Sequence, residues 1–167
     1  MVAKALGYGE DTAKTDFFDQ TEVAYDKDSY KLKYRLDRAK SYGVDPGVAV
    51  TVYDRMGKVD GNGPKATILI NTAGLTKDQQ KKIAHDYFGE KSETFSDNLA
   101  TAIDNNYARE FVNAYTRKNS YDYDVEQVSD YLNATGLSYR QKVKIMEMLN
   151  WGRGGKQTPK QYTKYLN

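Results

Sequence analysis

The sequence contains no cysteine, which removes disulfides, thiolate nucleophiles and cysteine-bound zinc or iron–sulfur centres together. His85 is its one histidine, so multi-histidine metal sites are excluded and at most one imidazole is available as a general base. No segment approaches the roughly 18 apolar residues that a membrane span needs. Met1 to Tyr8 carries Lys4 and no apolar stretch, so the expectation is a soluble protein made without a secretory signal peptide. A strand, a Gly-x-Ser-x-Gly elbow and a helix never occur in succession, which argues against a hydrolase nucleophile.

What remains is 167 residues with 39% hydrophobic and 29% charged side chains, enough for one compact domain or two small subdomains. The mean hydropathy is low at -0.82, yet fifteen Tyr, five Phe and one Trp supply core-forming rings, and wholesale disorder is not expected. Tyrosine buries its ring while keeping its hydroxyl wet, which suits thin cores and interfaces. The net charge of +2 is too mild to demand a nucleic-acid partner. Its distribution is uneven. Residues 1–27 set three lysines against six carboxylates, a net of -3, and residues 137–167 set seven cations against Glu147, a net of +6.

The strongest pattern is an internal repeat. Residues 70–83, Ile-Asn-Thr-Ala-Gly-Leu-Thr-Lys-Asp-Gln-Gln-Lys-Lys-Ile, align without gaps on residues 132–145, Leu-Asn-Ala-Thr-Gly-Leu-Ser-Tyr-Arg-Gln-Lys-Val-Lys-Ile, at an offset of 62. Gly74 and Gly136 are expected to be the left-handed residues that end one helix. Thr76 and Ser138 cap the next, with Gln79 and Gln141 completing capping boxes. Leu75 and Leu137 plug the corners. Each copy reads as a helical hairpin.

Other segments agree. Asp45-Pro46 is an N-cap followed by proline at the first helical position, opening a helix to about residue 56. Tyr30 to Lys40 puts Leu32, Leu36 and Ala39 on one face among five basic residues, ending at Gly43. Gly63-Pro64 opens a further helix, and Thr158-Pro159 starts a short one through Tyr165. Leu99, Ile103, Tyr107, Phe111 and Tyr115 recur every fourth position, predicting one long helix from Ser96 that bends at Asn105-Asn106. The alternative pairs residues 48–53 and 65–70 as a short β-hairpin on their β-branched content. The repeat weighs against it, because residues 127–133, the counterpart of 65–71, keep helical spacing. The fold class is therefore mostly α: two related helical-hairpin repeat units packed together. An acidic extension spans 1–27, the first unit 28–91, a connecting long helix 92–119, and the second unit with its basic segment 120–167.

Candidate chemistry is thin. His85 aligns with Glu147 across the repeat, which reads as a solvated helix face. Asp60-Gly-Asn-Gly-Pro64 resembles the start of a calcium loop, but Pro64, Lys65 and Asn71 stand where a ligand, a glycine and a bidentate glutamate belong. Asp122, Asp124 and Glu126 precede a helix, whose first turn favours negative charge. Gly152 to Lys156 lacks phosphate-loop spacing. Read as DNA-binding helix-turn-helices, the hairpins carry bulky Ile70 and Leu132 before the turn and polar Gln80 and Lys142 on the second helix, which fits an antiparallel hairpin better. No catalytic residue, cofactor or metal site emerges. The residues singled out as contacts for a protein partner or a nucleic acid are Trp151, Arg153, Lys156, Lys160, Tyr162, Lys164 and Tyr165.

Both copies of the hairpin, with Tyr42-Gly-Val-Asp-Pro46 and Lys58-Val-Asp-Gly-Asn-Gly63 before the first, resemble helical repeats in large phage and mobile-element proteins of Gram-positive bacteria. The resemblance covers roughly residues 28–90 and 120–167 and brings no catalytic residues with it. It implies phage or mobile-element origin, and with it a place in a virion or a bacterial host cytoplasm; the residues themselves read as a non-enzymatic protein–protein interaction or virion-associated module whose tyrosine-rich helices present the contact face. The other reading is a nucleic-acid-binding or nucleic-acid-mimicking regulator, such as a phage inhibitor of a host nucleoprotein, acting through the basic or the acidic end.

Overall fold

Helix starts follow the capping chemistry of the sequence. The computed structural model describes residues 29–118, 124–149 and 159–167, and among them the protein is mostly α, with nine helices and no strand. The helices are α1 (Ser29–Ser41), α2 (Pro46–Gly57), α3 (Asn62–Asn71), α4 (Lys77–Phe88), α5 (Glu93–Asp104), α6 (Ala108–Lys118), α7 (Val125–Asn133), α8 (Tyr139–Met148) and α9 (Pro159–Thr163). Residues 48–53 lie in α2 and 65–70 in α3, which disposes of the β-hairpin. The Asp45 carboxylate accepts from the amides of Gly47 and Val48 ahead of Pro46. Asp124 accepts from Gln127 N to open α7.

Both predicted capping boxes form. The Thr76 hydroxyl accepts from Gln79 N at 3.1 Å, and the Gln79 side chain accepts from Thr76 N at 3.0 Å. Ser138 and Gln141 repeat the exchange at 3.2 and 2.9 Å. The preceding helix ends differ from each other. Gly74 has a φ of 92° in the turn after α3, where only glycine is unstrained. Gly136 is not left-handed, contrary to expectation. Thr135 takes over that turn: its hydroxyl donates to Leu132 O at 2.6 Å and accepts from Leu137 N at 3.3 Å. Leu75 and Leu137 are both half-buried.

The long helix expected across 92–119 is two helices. Asn106 adopts a φ of 66°, with Tyr107 N bonded to Ala102 O and Asn106 N to Ile103 O, which is the Schellman closure of a helix end. Asn105 reinforces it by donating to Thr101 O at 2.8 Å. Helical periodicity continues through such a stop because α6 resumes almost at once, so spacing alone conceals the break.

The chain divides into unit 1, Met1–Ala100, and unit 2, Thr101–Asn167, with the boundary inside α5. In unit 1, α2 packs on α1 and α3, and α4 packs on α1 and α3. Its buried residues include Leu32 and Leu36 of α1, Val52 and Met56 of α2, Leu69 of α3 and Ile83 of α4. Rings of Tyr87, Phe88 and Phe95 meet edge-on at 5.2 and 5.1 Å, a geometry that adds to the area buried. In unit 2, α6 packs on α7 and α8 on α9, with Phe111, Leu132, Ile145 and Met146 buried. The extension 1–27 lies outside the described residues.

These turn geometries set distinct expectations for the two copies. Thr76→Ala and Ser138→Ala should each destabilise by about 1 kcal/mol through loss of the cap. Gly74→Ala should cost about 1 kcal/mol because of its positive φ, whereas Gly136→Ala should be neutral or slightly stabilising. Urea unfolding of the four variants measures this, and equal losses at the two glycines would contradict the difference in their turns.

Candidate interaction surface

The segment carrying the predicted contacts is anchored from within unit 2. Pro159 opens α9, and Tyr162 and Leu166, four residues apart, are both buried. Asn133, the last residue of α7, holds the chain beyond them. Its side-chain amide donates to Tyr165 O at 2.8 Å and its oxygen accepts from Asn167 N at 3.1 Å. The same oxygen accepts from Lys142 Nζ at 3.1 Å, and Lys142 also donates to Asn167 O at 2.8 Å and to Asn167 Oδ1 at 3.4 Å. Lys142 is only 6% exposed. An ammonium has three donors, and burying one is costly unless they are satisfied; three oxygens surround this one.

The seven predicted contact residues divide accordingly. Trp151, Arg153 and Lys156 lie outside the described residues, as does the Gly152 to Lys156 loop. Tyr162 is a packing residue of unit 2, and burial, followed by the charge of Glu147, pushes its hydroxyl pKa up. Lys160 and Lys164 are exposed. Tyr165 is 39% exposed, with the Lys164 ammonium 5.3 Å from its ring centroid. Lys160, Lys164 and Tyr165 form the accessible part of the predicted surface among the described residues. Tyr139, at the first turn of α8, is 53% exposed and was not among the predicted contacts.

Unit 1 holds a second polar cluster that residue spacing did not single out. Asp86 of α4 accepts from Arg38 Nε at 2.9 Å and from the Tyr42 hydroxyl. Arg38 and Tyr42 stand four residues apart at the end of α1, and the Arg38 guanidinium also lies 5.6 Å from the ring of Tyr34 and 5.7 Å from that of Tyr42. Lys82 Nζ covers the Tyr42 ring from α4 at 5.4 Å. Burial, and then the hydrogen bond to Asp86, push the Tyr42 hydroxyl up to about 12. Tyr34 is 53% exposed. His85 is exposed on the neighbouring turn. The sequence signal for the cluster is the Arg38 and Tyr42 spacing, legible only once α1 and α4 are known to pack together.

Among the described residues no group of three His, Asp or Glu side chains is placed to hold a metal ion, and no helix there is long and apolar enough to cross a membrane. Comparison with family models, curated proteins and solved structures finds no match for the chain.

Asn133→Ala removes three hydrogen bonds and should destabilise by about 2 kcal/mol. Amide hydrogen exchange at Leu166 and Asn167 should accelerate with it, and unchanged protection at both would show that Asn133 does not hold this segment.

Tyr42 predicts a pH dependence. Its raised folded pKa means that the bonded phenol stabilises the fold below the ordinary tyrosine value near 10, and that this contribution is lost as pH rises to about 12. Unfolding free energy should fall more steeply across that window in the wild type than in Tyr42→Phe. Parallel profiles would refute the coupling.

Proposed function

We propose that the chain is a non-enzymatic interaction module, of phage or mobile-element origin, that binds a protein partner through tyrosines presented by its helices. The observation that carries this reading is the exposure of Tyr139 and Tyr165 on unit 2, at 53% and 39%. Tyrosine and arginine are enriched where partners dock, because a rigid ring supplies contact area at low entropic cost and its hydroxyl supplies a directed bond. Arg140 follows Tyr139 directly, so cation and ring adjoin in sequence. The phage or mobile-element assignment rests on the repeat resemblance.

A nucleic-acid reading draws on one specific observation. Lys164 over the exposed Tyr165 ring offers a cation for a phosphate beside a stacking face for a base, in a segment whose net charge is +6. The two readings differ in salt response: phosphate neutralisation releases condensed counterions, so affinity falls steeply with salt, whereas a few aromatic anchors hold a protein partner with rim charges acting mainly on association rate.

Two measurements separate them. Affinity capture from a bacterial host lysate should retain a partner that the Tyr139→Ala/Tyr165→Ala variant loses, each tyrosine contributing about 2 kcal/mol, or roughly thirtyfold in affinity. Fluorescence anisotropy with labelled DNA and RNA duplexes at two salt concentrations should show no tight binding. Tight, salt-sensitive binding there would replace the protein-binding reading with the nucleic-acid one.

A further inference from the structure

Helices α1 and α5 are alike on one face and unlike on another. Sixty-three residues separate Leu32 from Phe95, Leu36 from Leu99 and Ala39 from Ala102, and all six are buried. Both helices end at a left-handed residue, Gly43 with a φ of 82° and Asn106 with a φ of 66°. At the same spacing Lys33, Asp37 and Lys40 of α1 correspond to Ser96, Ala100 and Ile103 of α5, positions that form one stripe along a helix. In α5 that stripe is covered: Ser96 and Ile103 are 2% and 3% exposed, and Ala100 is half-buried. In α1 all three positions are exposed.

The exposed stripe belongs to a strongly basic helix. Lys31, Lys33, Arg35, Arg38 and Lys40 stand against Asp37 alone, and the first turn holds no acidic residue, so the positive end of the helix dipole adds to the same field. Between Lys33 and Asp37 the Tyr34 ring is 53% exposed, with the Arg38 guanidinium 5.6 Å from its centroid.

The chain directly before α1 carries the opposite charge. Residues 1–27 have a net charge of -3, and Asp16, Asp19, Glu22 and Asp26 alternate there with Phe17, Phe18, Val23 and Tyr25. A helix of 13 residues is about 20 Å long, a distance that about six extended residues cover. Residues 16–26 therefore suffice to reverse direction and lie along α1.

We propose that the acidic segment 1–27 docks on the exposed stripe of α1, setting carboxylates against Lys33 and Lys40 and an aromatic side chain against the Tyr34 ring. A surface ion pair contributes little by itself. Attachment at the start of α1, however, holds the segment at high effective concentration beside this face, so that several weak contacts act together. The polar stripe of α1 is thereby covered by acidic chain where the apolar stripe of α5 is covered by packing, and the docked segment screens the basic helix from other polyanions.

The chain has no cysteine, so Thr12→Cys gives the whole protein a single nitroxide attachment point within the segment. At low ionic strength the label should broaden the amide signals of Lys33, Asp37 and Lys40, and the effect should fall several-fold in about 0.5 M sodium chloride, where exposed charges are screened. Lys33→Glu/Lys40→Glu should reduce it as much at low salt. Arg140→Glu/Lys144→Glu, an equal charge change at exposed positions of α8, should leave it unchanged. Broadening that ignores both salt and the α1 variant reflects attachment alone and overturns the proposal, as does an equal loss in the α8 variant. Mixing isotope-labelled wild type with spin-labelled, isotope-free protein identifies the occupant: broadening of α1 in the mixture assigns the stripe to a second copy and overturns docking within one chain. Should the α1 variant fail to fold, the salt titration and the mixing experiment decide.

Discussion

A helix of nine to thirteen residues is too short to stand alone in water. Isolated helices shorter than about 12–15 residues are marginal even in favourable sequences, and none of those described here exceeds 13 residues. Each leaves four amides and four carbonyls without intrahelical partners. In a fold built from such pieces, the ends claim a large share of the backbone's hydrogen-bonding groups. The structure answers with side chains at the starts: Asp45, Thr76, Asp124 and Ser138 all accept from the first turn of a helix. At the finishes it answers with backbone closures. Gly43 and Asn106 end α1 and α5 through the same pair of bonds, from residues Gly43 and Val44 in one case and Asn106 and Tyr107 in the other.

This explains how much of the fold was legible in the sequence. Start signals are carried by residue type at fixed offsets, so Asp45-Pro46, Thr76 with Gln79, and Ser138 with Gln141 were readable without coordinates. Stop signals are less specific. The left-handed position after a helix accepts asparagine as well as glycine, so Asn106 terminates α5 while the apolar spacing runs on through it. Gly136 shows the converse: a glycine aligned with a left-handed one is relieved of that role by the hydroxyl of Thr135. Two sequences can share a turn motif and close it by different bonds.

The polar clusters were harder to foresee because they join helices whose pairing a single sequence does not state. Asp86 is unremarkable on α4 until Arg38 and Tyr42 arrive from α1, 48 and 44 residues earlier. Lys142 reads as a surface lysine on an amphipathic helix, since nothing local announces that three oxygens from residues 133 and 167 will enclose it. In the first copy the aligned residues are Asn71 and Gln80. Asn71 is exposed and Gln80 reaches only Leu75 O, at 3.5 Å. The repeat thus preserves the capping chemistry while the residues around it diverge into unlike clusters. The predicted contact surface was legible in part. Lys164 and Tyr165 lie at the surface, and Tyr162 does not, because four-residue spacing with Leu166 places both toward the interior.

The enclosure of Lys142 has a consequence for synthesis. Chains emerge from the ribosome N-terminus first, and units fold in that order. The oxygens of Asn167 lie 25 residues beyond Lys142, so α8 leaves the ribosome before its acceptors do. Until they arrive the ammonium must stay in water, because α8 cannot seat its lysine without an uncompensated charge. Unit 2 therefore completes its packing only when residues 159–167 dock.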